Sequence, residues 1–392
     1  MLRKTTKLFI LIILPTVIYL YLTSPSQSLV RPKIEFFSKN EKRSPTVSGI
    51  LATKKSNYSS SSGLHATQVL KRRQSAKKAT KALKTANSEK FLMYLCDGRK
   101  LCGGLSDRQR GIAYAFMVAL QLDRKFGIIM STPCDIRQFF IPNKYNWIIA
   151  ESALVGKSQK IIKFMHRGIY DLSNETAEVI YLKSSTLLYC DVYRQIEHKL
   201  PPYLKGGTTR TQIFKLIWES LMKPSRHVIN RLKTIALREN MTCAHVRIGQ
   251  SENLPNDASK NNITNVPKLW EFMDKLDTAN KIFIATDNIE VRNTARRRFG
   301  KRYFDSEGKI LHIDRQKGMD ADCLGFETAV VDQIILSKCK VLIVSKSGFS
   351  ELAASIRNDP KELYKFQRSN IFPLHFPEPQ LNGSHCTRMK PI

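Results

Sequence analysis

From residue 240 onward the chain alternates between short apolar runs and helix-length amphipathic segments, and that alternation excludes most folds. Residues 242–248 (TCAHVRI), 281–286 (KIFIAT) and 341–345 (VLIVS) are apolar, β-branched runs of strand length. Segments 266–276, 289–299, 326–338 and 349–357 carry apolar residues at helical spacing, with a short strand around Tyr303. Strands apolar on both faces belong to parallel sheets covered by helices, so this part predicts a doubly wound α/β unit. The same texture occurs earlier. FLMYLC reads as a strand, GGLSDRQRGIAYAFMVALQLD as a glycine-rich turn opening a long helix, and KFGIIMS as a second strand. Between residues 150 and 235 the pattern is weaker, with a strand in AEVIYL and helices near 211–222 and 226–238. The expectation is two Rossmann-type α/β units, 91–238 and 239–365, with a cleft between them and a tail over 366–392. Ligands of such sheets bind beyond the carboxyl ends of the strands.

The N-terminus sets the compartment. A basic head (residues 1–7) precedes an apolar run from Leu8 to Leu22, and positive charge before such a run keeps that end cytoplasmic. We read residues 8–23 as a transmembrane signal anchor and 24–90 as a basic, serine-containing stem; a cleaved signal peptide is the competing reading. The net charge is +31, and the stem from residue 31 to 90 alone holds 15 Lys/Arg against three Glu. So basic a chain suggests nucleic acid, a membrane or a polyanion, but a lumenal bulk excludes nucleic acid. The eight cysteines all follow the apolar run, as do five acceptor sequons at Asn57, Asn174, Asn240, Asn262 and Asn382. Disulfides are expected without a readable connectivity. Cys243 and Cys339, in or beside core elements, fit buried free thiols equally well. No C-x-x-C pair or Cys/His cluster suggests zinc.

Several polar residues gather at strand ends. His245, Arg247 and Gly249 alternate after an apolar strand, and a planar guanidinium there suits a phosphate or carboxylate. Gly103 and Gly104 allow close backbone approach, and the helix after them directs its amides at an anion, although a tight turn with an N-cap explains the same letters. Asp287 follows the KIFIAT strand. Asp332 sits on an apolar helix stripe, and Ser345, Ser347 and Ser350 flank the end of VLIVS. Singly, each is more often a cap or a solvated position. Together they supply carboxylates for base and ribose and an arginine for phosphate. Asp320-Ala321-Asp322 spells the D-x-D of metal-dependent glycosyltransferases but lacks the apolar strand that should precede it. YLKGGTTRT faintly resembles a sulfotransferase phosphosulfate loop, in the wrong place and order.

In this order the motifs resemble those of the fucosyltransferase superfamily that includes the α1,2-, α1,6- and protein O-fucosyltransferases. His245-Val246-Arg247 is similar to its H-x-R motif, GGLSDRQ to its N-terminal glycine loop, IFIATDN to its A-T-D strand end, and VVDQIILSKCKVLIVSKSGFSELAA to its last motif. The resemblance implies a GT-B-like fold, GDP-fucose as donor, and inverting transfer without a metal or other cofactor. It implies that Arg247 contacts the β-phosphate and His245 assists there, that Asp332 addresses the guanosine, and that Ser347, Gly348, Phe349 and Ser350 meet the phosphates. Asp287 would shape the same pocket, and Gly103, Gly104 and Arg108 would also bind the donor. Glu252 is the first candidate for the base that activates the acceptor hydroxyl, with Asp257 and Asp107 in reserve. One departure stands out: where several members carry a second basic residue directly after the motif arginine, this chain has Ile248, and Lys346 or Arg108 would have to compensate. The expected setting is the Golgi membrane, single-pass type II, with the endoplasmic reticulum as second choice, and a glycan or glycoprotein as acceptor. The competing readings are a sulfotransferase, a metal-dependent glycosyltransferase using Asp320 and Asp322, and a non-catalytic glycan-binding membrane protein.

Overall fold

A computed structural model describes residues 89–98, 102–164, 172–184, 190–235, 240–250, 255–310, 313 and 323–374, which belong to one compact unit. The apolar run and the stem up to residue 88, Glu252, Asp320, Asp322, Asn57 and Asn382 lie outside the described residues. Among those described, no helix is long and apolar enough to cross a membrane.

The strands are β1 (Phe91–Cys96), β2 (Lys125–Met130), β3 (Phe140–Pro142), β4 (Gln159–Phe164), β5 (Val179–Ser184), β6 (Met222–Pro224), β7 (Met241–Val246), β8 (Lys281–Thr286), β9 (Tyr303–Phe304), β10 (Val341–Ser345), β11 (Leu363–Gln367) and β12 (Asn370–Pro373). The helices are α1 (Leu105–Gln121), α2 (Cys190–Ile196), α3 (Arg210–Leu221), α4 (Arg226–Thr234), α5 (Val266–Asp274), α6 (Ile289–Phe299), α7 (Cys323–Leu336) and α8 (Gly348–Arg357). A four-stranded parallel sheet has the order β2-β1-β5-β4, and a six-stranded sheet the order β12-β11-β10-β7-β8-β9, parallel but for β12. β3 and β6 form a separate antiparallel pair.

Composition explains the order. The central strands β7 and β10 are buried at every position, which their unbroken apolar runs require. At the edge, β4 (QKIIKF) carries lysines and exposes Ile161, which is why its strand signal was missed. In each sheet the chain builds first to one side of β1 or β7 and then to the other. The carboxyl ends of β1, β7 and β10 are therefore switch points, where a crevice opens.

Two features depart from the expectation. The six-stranded sheet continues past residue 365, through β12 to Pro373. The two halves also share one apolar core, which runs from Leu92 and Phe116 under α1 to Phe283, Phe326 and Val344 in the second sheet. Three disulfides reinforce it: Cys96–Cys102 closes the turn before α1, Cys134–Cys323 ties the loop after β2 to the start of α7, and Cys243–Cys339 joins β7 to the end of α7. Cys243 and Cys339 are thus bonded to each other and are not free thiols.

Candidate active site

A cavity of about 320 Å³ opens where the carboxyl ends of β7 and β8 and the turn after β10 meet α1, α6, α7 and α8. Its basic lining residues are Arg110, Arg247, Lys260, Arg292, Lys309 and Lys346, set against Asp107, Asp257, Asp287 and Asp332.

Arg247 follows β7 directly and is only 8% exposed. Its backbone is fixed first: its amide donates to Ser345 Oγ (3.1 Å), and its carbonyl accepts from Asn261 Nδ2 (2.9 Å). The guanidinium then pairs with Asp257 through Nη2 and with Asp287 through Nη1 at 2.8 Å. Asp287 has a second task. Its carboxylate accepts the amides of Ile248 (2.8 Å) and Gly249 (2.9 Å), so one residue at the end of β8 orients both the arginine and the loop behind it. Two of the five guanidinium N–H groups meet carboxylates, and others remain for a ligand.

His245 is buried within β7, its Nδ1 2.9 Å from Ser350 Oγ and its ring 5.0 Å from that of Phe349. Burial, with the neighbouring Arg247 charge, lowers its pKa to about 3, so it is a neutral hydrogen-bonding group at physiological pH. Ser345 Oγ ties β10 to β7 by donating to the His245 carbonyl at 2.5 Å.

α8 begins at the cavity, with Ser347 as N-cap and Ser347, Gly348 and Phe349 in the lining. Gly348 permits a close approach to α1, since a Cβ there would stand 2.8 Å from Ser106 Oγ and 2.9 Å from Arg110 Nη1. Gly103 has φ +76, which a glycine adopts freely, and its neighbour Gly104 donates its amide to Asp107 Oδ2 at 3.0 Å. A buried amide pair locks the helices to each other. Gln109 Nε2 donates to Gln333 Oε1 (2.6 Å), and Gln333 Nε2 donates to Gln109 Oε1 (3.0 Å) and to the Phe349 carbonyl (3.1 Å).

Asp332, on α7, is 7% exposed, and its Oδ1 has no hydrogen-bond partner among the described residues. Burial raises its pKa to about 6; the nearby Ser306 hydroxyl and the Arg292 charge offset only part of this, and the hydroxyl closes no well-formed hydrogen bond.

No family model matches the chain, and no curated protein matches it in sequence. Solved fucosyltransferases are similar to it in structure. A variant of Arabidopsis thaliana FUT1 in complex with GDP has TM-score 0.47 and 13% identity, over 75% of this chain and 75% of that one. The α1,6-fucosyltransferase NodZ soaked with GDP-fucose has TM-score 0.43 and 13% identity, over 74% of this chain and 100% of the other. POFUT1 in complex with GDP has TM-score 0.38 and 11% identity, over 72% and 99%.

Of the residues expected at a site, Gly104, His245, Arg247, Asp287, Asp332, Ser347, Gly348 and Phe349 line the cavity. Gly103 and Ser350 lie behind that surface. Arg108 does not reach the cavity: it is 3% exposed and donates to the carbonyls of Gly103 (Nε, 3.0 Å) and Thr132. Two residues along a helix is a rotation of about 200°, so α1 presents Arg110 where Arg108 was expected. Lys346, the other candidate to replace the missing second basic residue, lines the cavity, while Ile248 packs against the core on the far face of the sheet. Asp107 and Asp257 also line it. Sequence reasoning missed Arg292. Its signal was a guanidinium in line with Ala295 and Phe299, on the buried stripe of α6. Among the described residues no group of three or more His, Cys, Asp or Glu is placed to hold a metal. Asn174, Asn240 and Asn262 are exposed, as glycan acceptors must be.

Proposed function

We propose that the chain is an inverting fucosyltransferase, moving L-fucose from GDP-fucose to a glycan or glycoprotein acceptor in the secretory pathway without a metal ion. The observation that carries this reading is the presence, in one cavity, of the Arg247 guanidinium beside a helix N-terminus and of a buried carboxylate whose oxygen lacks a partner among the described residues. Diphosphate answers the first and the donor edge of guanine answers the second.

When the fucose–phosphate bond breaks, its electron pair stays with GDP. On this reading Arg247, the first amides of α8 and Lys346 would hold that charge where a metal otherwise would. Neutral His245 adds a hydrogen bond without adding charge. The acceptor oxygen attacks the anomeric carbon from the opposite face, and its proton passes to a carboxylate. Glu252, outside the described residues, is one candidate. Among the lining residues Asp107 is freer than Asp257, which is committed to Arg247. Three disulfides, exposed sequons and the N-terminal apolar run suit a lumenal domain on a Golgi signal anchor.

Calorimetric titration of GDP-fucose, GDP-mannose and UDP-galactose into the purified full-length protein, with and without a chelator, tests the reading. Selective GDP-fucose binding should survive chelation and weaken about tenfold or more in Arg247→Ala. Chelator-sensitive binding of another donor would move the chemistry to Asp320 and Asp322. No nucleotide binding at all would leave a basic glycan-binding protein.

A further inference from the structure

Arg292 and Asp332 sit on one wall of the cavity, yet they form no ion pair with each other. Arg292 is 6% exposed. Its Nη1 donates to the Gly308 carbonyl at 2.6 Å, while its buried Nε has no partner among the described residues. Asp332 Oδ1 is likewise buried and without a partner among the described residues, since the Ser306 hydroxyl near it closes no well-formed hydrogen bond. Buried polar groups left without hydrogen bonds are costly and rare, and two of them on residues that line one cavity mark a place completed by a ligand. That ligand must offer hydrogen-bond donors to the carboxylate and, immediately beside them, acceptors to the guanidinium.

We propose that Arg292 is a specificity-determining residue of the donor site, reading O6 and N7 of a guanine whose N1–H and 2-amino group are held by Asp332. This rests on the GDP-fucose reading above. Guanine presents these groups in that order along one continuous edge, and the bidentate fit of a guanidinium to O6 and N7 is a recurrent way of reading it. Adenine would turn its N6 amino group toward the same guanidinium, donor against donor. Arg292 would therefore reject adenine as well as hold guanine. The fixed Gly308 contact matters here, because it stops the guanidinium from swinging across to Asp332.

GDP, 7-deaza-GDP and inosine diphosphate, titrated into the full-length protein, separate the two contacts. 7-deaza-GDP lacks N7 and inosine diphosphate lacks the 2-amino group. Each should bind wild type about tenfold or more weakly than GDP. In Arg292→Gln the preference for GDP over 7-deaza-GDP should shrink toward unity, while the preference over inosine diphosphate persists. Arg292→Lys, which keeps the charge but not the fork, should lose the N7 preference too, and thermal melts identify any variant that fails to fold. The arm on wild type needs no variant. If wild type binds GDP and 7-deaza-GDP alike, or if the N7 preference survives in Arg292→Gln, the inference is wrong and the donor reading stands. If wild type binds no GDP, both fall.

Discussion

Each sheet buries an arginine close to the carboxyl end of its central strand, and the two have opposite fates. Arg108, after β1, is answered by the carbonyls of Gly103 and Thr132 and by the ring of Phe326, 5.8 Å from its guanidinium. Arg247, after β7, is answered by the carboxylates of Asp257 and Asp287 at the edge of a cavity. Burial does not separate them, at 3% and 8% exposure. Geometry does. Arg108 lies on the inner face of a helix pressed against its own sheet, so its donors are spent on structure. Arg247 has its backbone pinned by Ser345 and Asn261 in a loop, which frees the side chain to project. The imbalance extends to the whole lining, since five of the 24 residues come from the first half and the rest from the second. On the donor reading, the first half supplies a wall and the second supplies the chemistry.

The strongest way to break that division is to cut the bond between the halves. Cys134–Cys323 spans 189 residues and fixes the first turn of the cavity-lining helix α7. Replacing both cysteines by serine should cost about 5 kcal/mol by chain entropy, against about 2 kcal/mol for the six-residue Cys96–Cys102 link. Urea unfolding of the two double variants measures the gap, and equal losses would show that the long link does not hold the halves together. A smaller effect sharpens the comparison of the arginines. Arg108→Met leaves two buried carbonyls short of a donor and should cost about 1–3 kcal/mol of stability, with GDP affinity per folded molecule kept within about threefold. A loss of GDP affinity in Arg108→Met matching that in Arg247→Ala would return Arg108 to the site.

Much of this was legible in the sequence, for a physical reason. Strands β8 and β10 and helix α6 were bounded to the residue, because their apolar runs are short, complete and ended by polar caps. His245, Arg247 and Asp287 were legible because a polar residue at the end of a buried strand has few other places to go. Strands β4, β11 and β12, at or next to a sheet edge, were not: lysines interrupt β4 and β11, and β12 is a four-residue edge strand with no buried position. Arg292 and the Gln109–Gln333 clasp escaped for another reason. Their roles depend on which helix faces which, and a single helix pattern does not contain that information. Arg108 turns inward to the carbonyls of Gly103 and Thr132, a direction that its position after the glycine turn does not reveal.

The finest test separates the two titrating groups of the second half. Asp332 has a folded-state pKa of about 6 against an ordinary 3.8, so between those values the native protein holds a proton that the unfolded chain has lost. Its contribution favours folding near pH 4 and fades as pH rises through 6. His245 has the opposite sign. With its pKa lowered from 6.5 to about 3, the unfolded chain takes up the proton first, and stability is lost as pH falls from 6.5 toward 3. The two slopes oppose each other between about pH 4 and 6, so their joint contribution is nearly flat there. Asp332→Asn removes one of them. Relative to wild type, the variant should gain stability as pH rises across that interval, by up to about 1.4 kcal/mol per pH unit, in urea midpoints measured at several pH values. GDP affinity should move the other way. A carboxylate accepts two guanine donors better than a neutral acid does, so wild-type binding should strengthen as pH rises through about 6, while Asp332→Asn binds weakly with no such rise. A variant whose stability profile runs parallel to that of wild type would mean that Asp332 does not titrate in this range, and that its unpartnered oxygen is already satisfied by solvent.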